Sequence, residues 1–353
     1  MALNPAFWRG RRVFLTGHTG FKGGWLALWL HEWGAHVHGY ALAAGDDSLW
    51  RAARLESLLD SRIADIRDPH SLRESLLEAR PEVVFHLAAQ PLVRASYHDP
   101  LATYSTNVMG TAHLLEAARA CPEVRAVVVV TTDKCYENRE WLWPYRETDT
   151  LGGHDPYSSS KACAELVCAA YRASFLAARG VGLATARAGN VIGGGDWSAD
   201  RLVPDALRAW SENRDVVLRR PGATRPWQHV LDPLAGYLRL AEALCEAPAE
   251  HARAWNFGPD AGGVRSVGEV VEGLASHWPE AARWRVENPG ELHEATHLTL
   301  DSSLARAHLG WQPRWGLDEA LRRTCQWHRA WLDGQDMRAF SRRQIDDYQG
   351  EVR

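Results

Sequence analysis

Short apolar runs alternate with longer stretches of helical character along the first half of this chain. Four of the runs are strand candidates: 12–16, 35–42, 82–88 and 126–131. The last two are apolar on successive residues, as strands buried on both faces are. Helical patterns lie beside them, over 24–33, 68–78, 100–120 and 157–178. This strand–helix–strand order predicts right-handed crossovers and a doubly wound parallel α/β sheet.

The pattern is less regular after about residue 190. Three consecutive glycines, Gly193 to Gly195, begin a loop, and helical and strand-like pieces then mix up to about residue 325. A chain of this length usually divides its core, since single cores stop growing near about 300 residues. We therefore expect a smaller second lobe, with a binding cleft where it meets the first.

The composition of the 353 residues is that of a globular protein, with 46% hydrophobic residues, 24% charged residues and a formal net charge of −4. Because there is no basic excess, we expect no nucleic-acid partner. No run approaches the roughly 18 apolar residues of a membrane span, and the first residues lack the apolar segment of a secretory signal. We therefore expect a cytoplasmic protein without a membrane partner. The 6 cysteines and 16 histidines show no ligand spacing, so no metal site is predicted.

A glycine cluster, Thr16-Gly17-His-Thr-Gly20-Phe-Lys-Gly23, lies between the first predicted strand and the first predicted helix. Gly17 allows the tight turn, Gly20 allows a pyrophosphate to approach the backbone, and Gly23 allows the helix and strand to pack closely. The free N–H groups at the helix N-terminus favour the negative charge of phosphates. A glycine-rich loop alone is weak evidence, but this strand–loop–helix context favours a Rossmann-type dinucleotide site.

Tyr157 and Lys161 are four residues apart in a predicted helix, so the phenol and the ammonium group share one face. A nearby ammonium group stabilises phenolate, and we therefore predict that Lys161 lowers the pKa of Tyr157 and makes it a usable base. The same spacing occurs by chance as an exposed pair in many helices. The preceding strand end at Thr131 and Thr132 favours the catalytic interpretation, with the Thr132 hydroxyl bound to the same substrate oxygen.

Asp133 and Lys134 follow Thr132 directly, at the end of a buried strand where ligands bind in open α/β sheets. An acid and a base side by side suggest a second proton transfer, in addition to the one that Tyr157 performs. The alternative is a solvated pair of charges in a turn. The catalytic strand end favours the first interpretation.

Taken together, these stretches resemble the nucleotide-sugar 4,6-dehydratases of the extended short-chain dehydrogenase/reductase superfamily. The resemblance runs from about residue 8 to about residue 330 and includes the Gly-x-x-Gly-x-x-Gly spacing, His86-Leu-Ala-Ala89 and Asp65-Ile66. Related dTDP-glucose enzymes have Asp-Glu where this chain has Asp133-Lys134, and Asp-Lys is similar to the CDP-sugar branch. The resemblance implies a deoxysugar-forming reaction on CDP-glucose that serves O-antigen synthesis, with bound NAD⁺ reduced and regenerated.

The resemblance also implies roles for individual residues. Tyr157 would remove the proton from the 4-hydroxyl, Asp133 would be the acid toward the 6-hydroxyl, and Lys134 would be the base at C5. The implied cofactor-binding residues are Gly17, Thr19, Gly20, Phe21, Lys22, Gly23, Asp65, Ile66, Leu87, Ala88, Ala89, Asn107, Tyr157 and Lys161. The preference for NAD over NADP rests on the resemblance, because Asp46 and Asp47 come late for the acid expected after the second strand.

The implied substrate-binding residues lie mostly outside the first strands and helices: Gln90, Arg94, Tyr97, Asn190, Arg225 and His229. Asn190 and Arg225 match family residues that meet the substrate diphosphate, for which a guanidinium group is suited. We assign 1–186 to the NAD-binding Rossmann domain, to which 222–260 return. Residues 187–221 and 261–335 then form a C-terminal substrate lobe, and 336–353 a polar, frayed tail.

The helices over 100–120 and 157–178 carry wide apolar faces, which is typical of the four-helix homodimer interface of this family. Burial within one chain explains the same pattern, so both a homodimer (or a dimer of dimers) and internal packing stay open. Three other functions also stay open, one of which is a 4,6-dehydratase that acts on another NDP-hexose. A nucleotide-sugar 4-epimerase would not need Asp133 or Lys134, and a non-catalytic binding protein would not need a phenolate base.

Overall fold

The computed structural model describes residues 3–287 and 297–350. Its strands are β1 Arg12–Thr16, β2 His36–Ala41, β3 Asp60–Ile63, β4 Val83–His86, β5 Ala126–Val130, β6 Gly182–Ala188, β7 Asn190–Ile192, β8 Val216–Leu218, β9 Thr224–His229, β10 Ala254–Phe257, β11 Val264–Ser266 and β12 Trp284–Val286. Its α-helices are α1 Pro5–Trp8, α2 Phe21–Glu32, α3 Leu49–Ala52, α4 Pro69–Ala79, α5 Val93–His98, α6 Pro100–Tyr104, α7 Gly110–Ala120, α8 Pro156–Tyr171, α9 Leu202–Ser211, α10 Leu231–Glu246, α11 Pro248–His251, α12 Val267–Ser276, α13 Ser303–Leu309, α14 Leu317–Leu332 and α15 Met337–Gly350.

Seven parallel strands form the main sheet in the order β10-β6-β5-β4-β1-β2-β3. The predicted doubly wound α/β fold is confirmed. Strand order reverses between β1 and β4, whose residues pair from Val13 with Val83 to Thr16 with His86. Ligands of open α/β sheets bind where the strands end at such a reversal, so this edge is where a site is expected.

Helices cover both faces of the main sheet, because successive residues of its strands point to opposite sides and both sides are apolar. One core joins β1 and β4 to α4 and α7 through Phe14, Leu72, Val84 and Leu115. The core on the opposite face is built largely from α2 and α10, with many fully buried leucines. The sheet is thereby fixed from two sides, which holds its carboxyl edge rigid.

The second lobe has its own core. Its two small sheets, β11-β9-β7 and β12-β8, pack with α9, α12 and α14. Three tryptophans of this core, Trp210, Trp227 and Trp278, are buried together with Leu274. The second lobe is thus a packed unit rather than a set of surface loops.

The predicted division between the lobes needs two corrections. Of the segment 222–260, which was predicted to return to the first domain, β10 lies in the main sheet, whereas β9 pairs with β7 and β11 and so corrects the prediction. The predicted substrate lobe over 261–335 is wrong for α13, because its Ala305 and Leu309 join the core on α10. Contacts distant in sequence decide these placements, and no local pattern marks them.

The prediction of a frayed tail over 336–353 is wrong, because α15 is docked. Met337, Ile345 and Tyr348 recur at helical spacing and are at most 2% exposed. The Tyr348 hydroxyl donates a hydrogen bond to buried Asp232 on α10, at 2.8 Å. A mostly polar composition thus conceals an amphipathic helix, whose apolar stripe is only a few residues wide. Residues 351–353 lie outside the described residues.

Candidate active site

The backbone from the end of β1 into the start of α2 lies so close to neighbouring backbone atoms that two of its positions have no room for a side chain. Gly17 has a φ of +76°, and a Cβ on it would lie 2.7 Å from the Ala88 nitrogen. A Cβ on Gly23 would lie 2.0 Å from the Gly17 carbonyl oxygen, so the start of α2 can pack on the loop only with glycine there. The N-terminus of α2 is therefore not covered by side chains where it faces the end of β1, and this leaves room for a pyrophosphate group.

A cavity of about 340 Å³ lies along this loop and the ends of β1, β4 and β5. Thirteen of the predicted cofactor residues line it: Gly17, Thr19, Gly20, Phe21, Lys22, Gly23, Asp65, Ile66, Leu87, Ala88, Ala89, Tyr157 and Lys161. The phenol and ammonium groups on α8 therefore face the same space as the glycine loop. A bare phosphate cradle continuous with a catalytic pair is the shape that a dinucleotide needs.

Asn107 does not line this cavity, which corrects its prediction as a cofactor ligand. It is buried in a π-helical turn, Ser105–Met109, that joins α6 to α7. Its side chain accepts a hydrogen bond from Gln90 N and donates to Gln90 O and to Ser160 Oγ, at 2.8, 3.0 and 2.9 Å. Asn107 therefore ties the loop after β4 to α8.

The part of the cavity beside Asp65 includes an unpredicted residue, Arg67. The Arg67 guanidinium group donates two hydrogen bonds to the Asp65 carboxylate, at 2.9 and 2.6 Å, and lines the cavity beside it. These hydrogen bonds hold the pKa of Asp65 below its usual value. Leu42, just after β2, lines the cavity where an acidic residue is common in NAD-binding folds.

The predicted effect of Lys161 on Tyr157 is wrong in this structure. Burial raises the pKa of Tyr157 to about 12, and what opposes it is a hydrogen bond with Thr132 and the charge of Arg201. Lys161 instead donates to the carbonyl oxygen of Val130 at 3.2 Å, and burial lowers its own pKa to about 8. The reason is desolvation, which the spacing of two residues on a helix does not reveal.

Asp133 and Lys134 form a short 3₁₀ turn after Thr132, and they are not a solvated pair. Thr132 Oγ1 donates to Asp133 Oδ1 at 3.0 Å and accepts from Lys134 N at 3.3 Å. Asp133 is 2% exposed, and among the described residues none hydrogen-bonds its Oδ2. Thr132 thus links the buried carboxylate to the Tyr157 phenol, so an acid, a base and a hydroxyl converge.

Lys134 is half-buried next to the second lobe. Burial lowers its pKa; Asp133 opposes this shift, and the charge of Arg225 adds to it. The predicted substrate residue Arg225 on β9 is therefore within electrostatic reach of the predicted base. An ammonium group with a lowered pKa gives up its proton more readily, as a base at an acidified carbon must.

A buried ion pair lies behind this cluster. Glu165 Oε1 accepts from Thr131 Oγ1 and Arg187 Nε at 2.5 and 2.9 Å, and Oε2 accepts from Thr185 Oγ1 and the Arg187 guanidinium at 2.6 and 2.8 Å. Glu165 is one helical turn after Lys161, and Thr131 directly precedes Thr132. The pair therefore fixes the end of β5 against α8. Sequence reasoning missed it.

The remaining predicted substrate residues are not all brought together. Asn190 begins β7 beside β9, near Arg225, and Tyr97 lies on α5. Arg94 lines a separate cavity in the second lobe. The Gln90 amide is engaged within its own loop, because its Nε2 donates to Leu92 O and Thr103 Oγ1 at 3.1 and 3.0 Å.

His229 is not at the cleft, which corrects its prediction as a substrate ligand. Its ring is fully buried, 4.7 Å from the ring centroid of Trp315, and Trp25 lies edge-on to it at 6.3 Å. Burial lowers its pKa to about 3, so it is a neutral core residue. Successive residues of a strand point to opposite faces, so a residue next to one that faces the cleft points into the core. The sequence of a short strand does not show which of its residues lie on which face.

Arg201 is a site residue that the sequence reasoning missed. With Ser198 it lines the cavity from the loop after Gly195, and its guanidinium group is paired with buried Asp196 at 3.0 Å. Its charge contributes to lowering the pKa of Lys22, which burial brings to about 7. A lone arginine in an irregular loop carries no sequence signal for such a position.

Within residues 3–287 and 297–350, no three His, Cys, Asp or Glu side chains cluster as metal ligands would. In the same residues no helix has the length and apolar character needed to cross a membrane. The six cysteines are free thiols.

Comparison with known proteins places the chain among nucleotide-sugar enzymes. The family model for GDP-mannose 4,6 dehydratase matches residues 14–324. CDP-glucose 4,6-dehydratase of Salmonella typhimurium strain LT2 is 53% identical over 98% of each chain, and UDP-glucose 4-epimerase of Mycolicibacterium smegmatis is 30% identical over 90% of this chain and 98% of that one. The structure of MoeE5 in complex with UDP-glucuronic acid and NAD is 25% identical, with a TM-score of 0.78 over 91% of this chain and 99% of that one. The predicted resemblance is confirmed, and the chain belongs to the GDP-mannose 4,6-dehydratase family.

Proposed function

We propose that this protein is an NAD-dependent hydro-lyase that converts CDP-glucose to CDP-4-keto-6-deoxyglucose. The observation that carries the proposal is the buried Asp133 carboxylate, which Thr132 links to Tyr157. A 4-epimerase has no step for an acid at this place, whereas loss of water needs one. The 53% identity with CDP-glucose 4,6-dehydratase over 98% of both chains supports the same reaction and the same substrate.

The cavity along the glycine loop fits NAD⁺. The start of α2 would hold the pyrophosphate, Asp65 and Ile66 lie where the adenine would end, and Tyr157 and Lys161 lie at the nicotinamide end. When bound, NAD⁺ supplies a hydride acceptor for C4 and a hydride donor for C6.

Tyr157 takes the proton of the sugar 4-hydroxyl while Thr132 hydrogen-bonds the same region. Burial opposes the phenolate, so positive charge must offset it. Arg201 supplies that charge, since it opposes the rise in the pKa of Tyr157 and lines the same cavity. Lys161 holds the end of β5 through the Val130 carbonyl group, which fixes Thr132 relative to the phenol.

Lys134 takes the C5 proton once C4 is a ketone, because the ketone acidifies that proton. Asp133 donates a proton to the departing 6-hydroxyl, which leaves as water. Lys134 returns its proton to C5, and bound reduced NAD would supply the hydride for C6, so the reaction involves no net oxidation. Tyr157 has then gained one proton and Asp133 has lost one, and transfer of that proton from Tyr157 to Asp133 resets both groups. The lowering of the pKa of Lys134, by burial and by the charge of Arg225, supports its part in this sequence.

The substrate diphosphate is assigned to Arg225 and Asn190, which approach the cleft from β9 and β7. Arg225 is close enough to Lys134 for its charge to lower the pKa of that residue. A clamp at the diphosphate holds the hexose at the approximately 3–3.5 Å contact distance that hydride transfer requires.

The protein is further assigned to the cytoplasm and to O-antigen deoxysugar synthesis, as a homodimer or dimer of dimers. Apolar side chains on α6 and α8, and on the π-helical turns that follow them (Ser105–Met109 and Arg172–Leu176), support a four-helix interface. Leu101 is 80% exposed, Leu166 59%, Met109 50% and Phe175 40%. Sedimentation of the protein tests the assembly, and a monomer at micromolar concentration contradicts it.

A substrate screen tests the proposed reaction. The protein with NAD⁺ is incubated with the CDP-, dTDP-, GDP- and UDP-sugars, and the mass of each product is measured by mass spectrometry. The expected result is loss of one water from CDP-glucose and little from the others. A C4 epimer without a mass change identifies a 4-epimerase instead. Water loss from another sugar nucleotide shows that this nucleotide, and not CDP-glucose, is the substrate.

A further inference from the structure

A second cavity, of about 520 Å³, lies in the second lobe between α9 and β8. Arginine and aspartate side chains line much of it: Arg94, Asp200, Asp205, Arg208 and Arg219. Asp200 lines this cavity, and its neighbour Arg201 lines the catalytic one. Consecutive residues of this loop therefore line the two cavities, and a ligand that occupied both would pass along it.

Two arginines of this cavity share one acidic partner. The guanidinium groups of Arg94 and Arg219 lie 3.7 and 3.2 Å from the same Asp200 carboxylate oxygen. Four arginines and four acidic residues line the cavity as a whole, so its charges balance, and the two guanidinium groups that share Asp200 are the donors suited to an anionic linker such as a diphosphate. What lies beyond the linker in a nucleotide sugar is the nucleobase.

Deeper along α9, Asp205 and Arg208 form an ion pair one helical turn apart, with Arg208 donating to Asp205 Oδ1 at 3.0 Å. The second guanidinium nitrogen of Arg208 donates to the Trp197 carbonyl oxygen at 2.7 Å, which fixes the orientation of the pair. Burial raises the pKa of Asp205, so the carboxylate is partly withdrawn from water. The cavity is thus lined by a hydrogen-bond acceptor, the Asp205 carboxylate, next to a hydrogen-bond donor, the Arg208 guanidinium group, and both are fixed in orientation.

We propose that Asp205, held by Arg208, selects cytosine in this cavity and makes the enzyme specific for CDP-sugars, an inference that rests on the proposed function. Cytosine presents an amino donor at N4 next to an acceptor at N3, which is complementary to a carboxylate beside a guanidinium group. Uracil and thymine present the reverse, an O4 acceptor next to an N3–H donor. The same pair that binds cytosine therefore repels the other two bases.

Calorimetric titration of the NAD-loaded protein with CDP and with UDP tests this assignment without depending on turnover. The wild type should bind CDP at least about tenfold more tightly than UDP, since one matched base contact is worth roughly that factor. Asp205→Asn should reduce the ratio to near one, because an amide can donate to O4 of uracil. Arg208→Gln should weaken CDP binding about tenfold.

Asp260→Asn is the matched control, since that carboxylate pairs with Arg306 at 3.0 Å on another face. It should keep the wild-type ratio, and NAD binding checks that each variant is folded. A wild type without preference for CDP, or an Asp205→Asn variant that keeps the preference, overturns the inference. If the wild type prefers CDP but removes no water from CDP-glucose, the proposed reaction fails and the base assignment stands.

Discussion

Two groups of buried polar side chains share helix α8 and differ in how fully they are paired. In the Glu165 network, which comprises Glu165, Arg187, Thr131 and Thr185, each carboxylate oxygen accepts two hydrogen bonds. In the Asp133 cluster, which comprises Thr132, Asp133, Lys134, Tyr157 and Lys161, one buried carboxylate oxygen lacks a partner among the described residues. The first group is a scaffold, and the second is available to a ligand.

The pKa values follow the same division. Burial alone would raise the pKa of Glu165, but the charge of Arg187 and the hydrogen bonds outweigh it and the pKa is lowered. Burial is not offset for Tyr157 and Lys161, whose pKa values move to about 12 and about 8. Uncompensated burial of this kind costs stability and is typical of groups that work on a substrate. The comparison therefore assigns stability to one group and chemistry to the other.

The largest expected effect is on turnover. Tyr157→Phe removes the base at the 4-hydroxyl and should reduce kcat by about 10²–10⁴-fold, because that is what a positioned general base contributes. The midpoint of thermal unfolding should stay unchanged or rise, since the phenol hydroxyl is buried and lies outside the Glu165 network. Steady-state kinetics and calorimetry measure the two. Normal turnover in this variant removes Tyr157 from the mechanism.

Breaking the Glu165 network should reduce the stability of the protein, in contrast to the loss of turnover expected for Tyr157→Phe. Arg187→Met leaves Glu165 buried without its cation, and the free energy of unfolding should fall by about 3–5 kcal/mol. Urea unfolding measures the loss. Arg306→Met, which breaks an exposed pair with Asp260, is the control and should change stability by less than about 0.5 kcal/mol. A loss below about 1 kcal/mol for Arg187→Met would mean that the network is not a scaffold.

Lys134→Ala separates the two chemical steps. Oxidation at C4 should proceed while water loss slows by about 10²-fold, because the base at C5 is missing. Reduced nicotinamide should therefore accumulate on the enzyme and be visible by its near-ultraviolet absorbance. Full dehydration in this variant shows that another group takes the C5 proton.

The smallest effect concerns pH and Lys161. Its pKa is about 8 in the folded protein against 10.5 for a free lysine side chain, so the unfolded state binds more protons between these values. The stability of the wild type relative to Lys161→Met should therefore rise with pH in this window, by at most about 1.4 kcal/mol per pH unit. Urea unfolding of both proteins across that range measures it. A constant difference contradicts the depressed pKa.

The predictable part of this site is the part that short-range patterns specify. Gly17, Gly20 and Gly23 lie between a strand and a helix, and Tyr157 and Lys161 share a helix face, so their common cavity could be expected. Four of the seven strands of the main sheet, β1, β2, β4 and β5, were predictable for the same reason, whereas β3 (Asp60–Ile63) is polar and mostly exposed and has no such pattern.

What the sequence did not reveal depends on burial and on contacts distant in the chain. The raised pKa of Tyr157 reflects how little water reaches it, which no spacing encodes. The neutral core position of His229 and the reach of Arg201 into the cavity depend on how the second lobe packs. Docking of α15 likewise depends on Asp232, more than one hundred residues earlier in the chain.

The central claim, that Tyr157, Lys134 and Asp133 act in turn on one hexose beside one nicotinamide, is tested most directly by isotope transfer. The protein and NAD⁺ are incubated with CDP-glucose that carries deuterium at C4, and the product is analysed by mass spectrometry and NMR. The account predicts a product lighter by one water that retains the deuterium, now at C6. A C4 epimer of unchanged mass, or a dehydrated product without deuterium at C6, would contradict it.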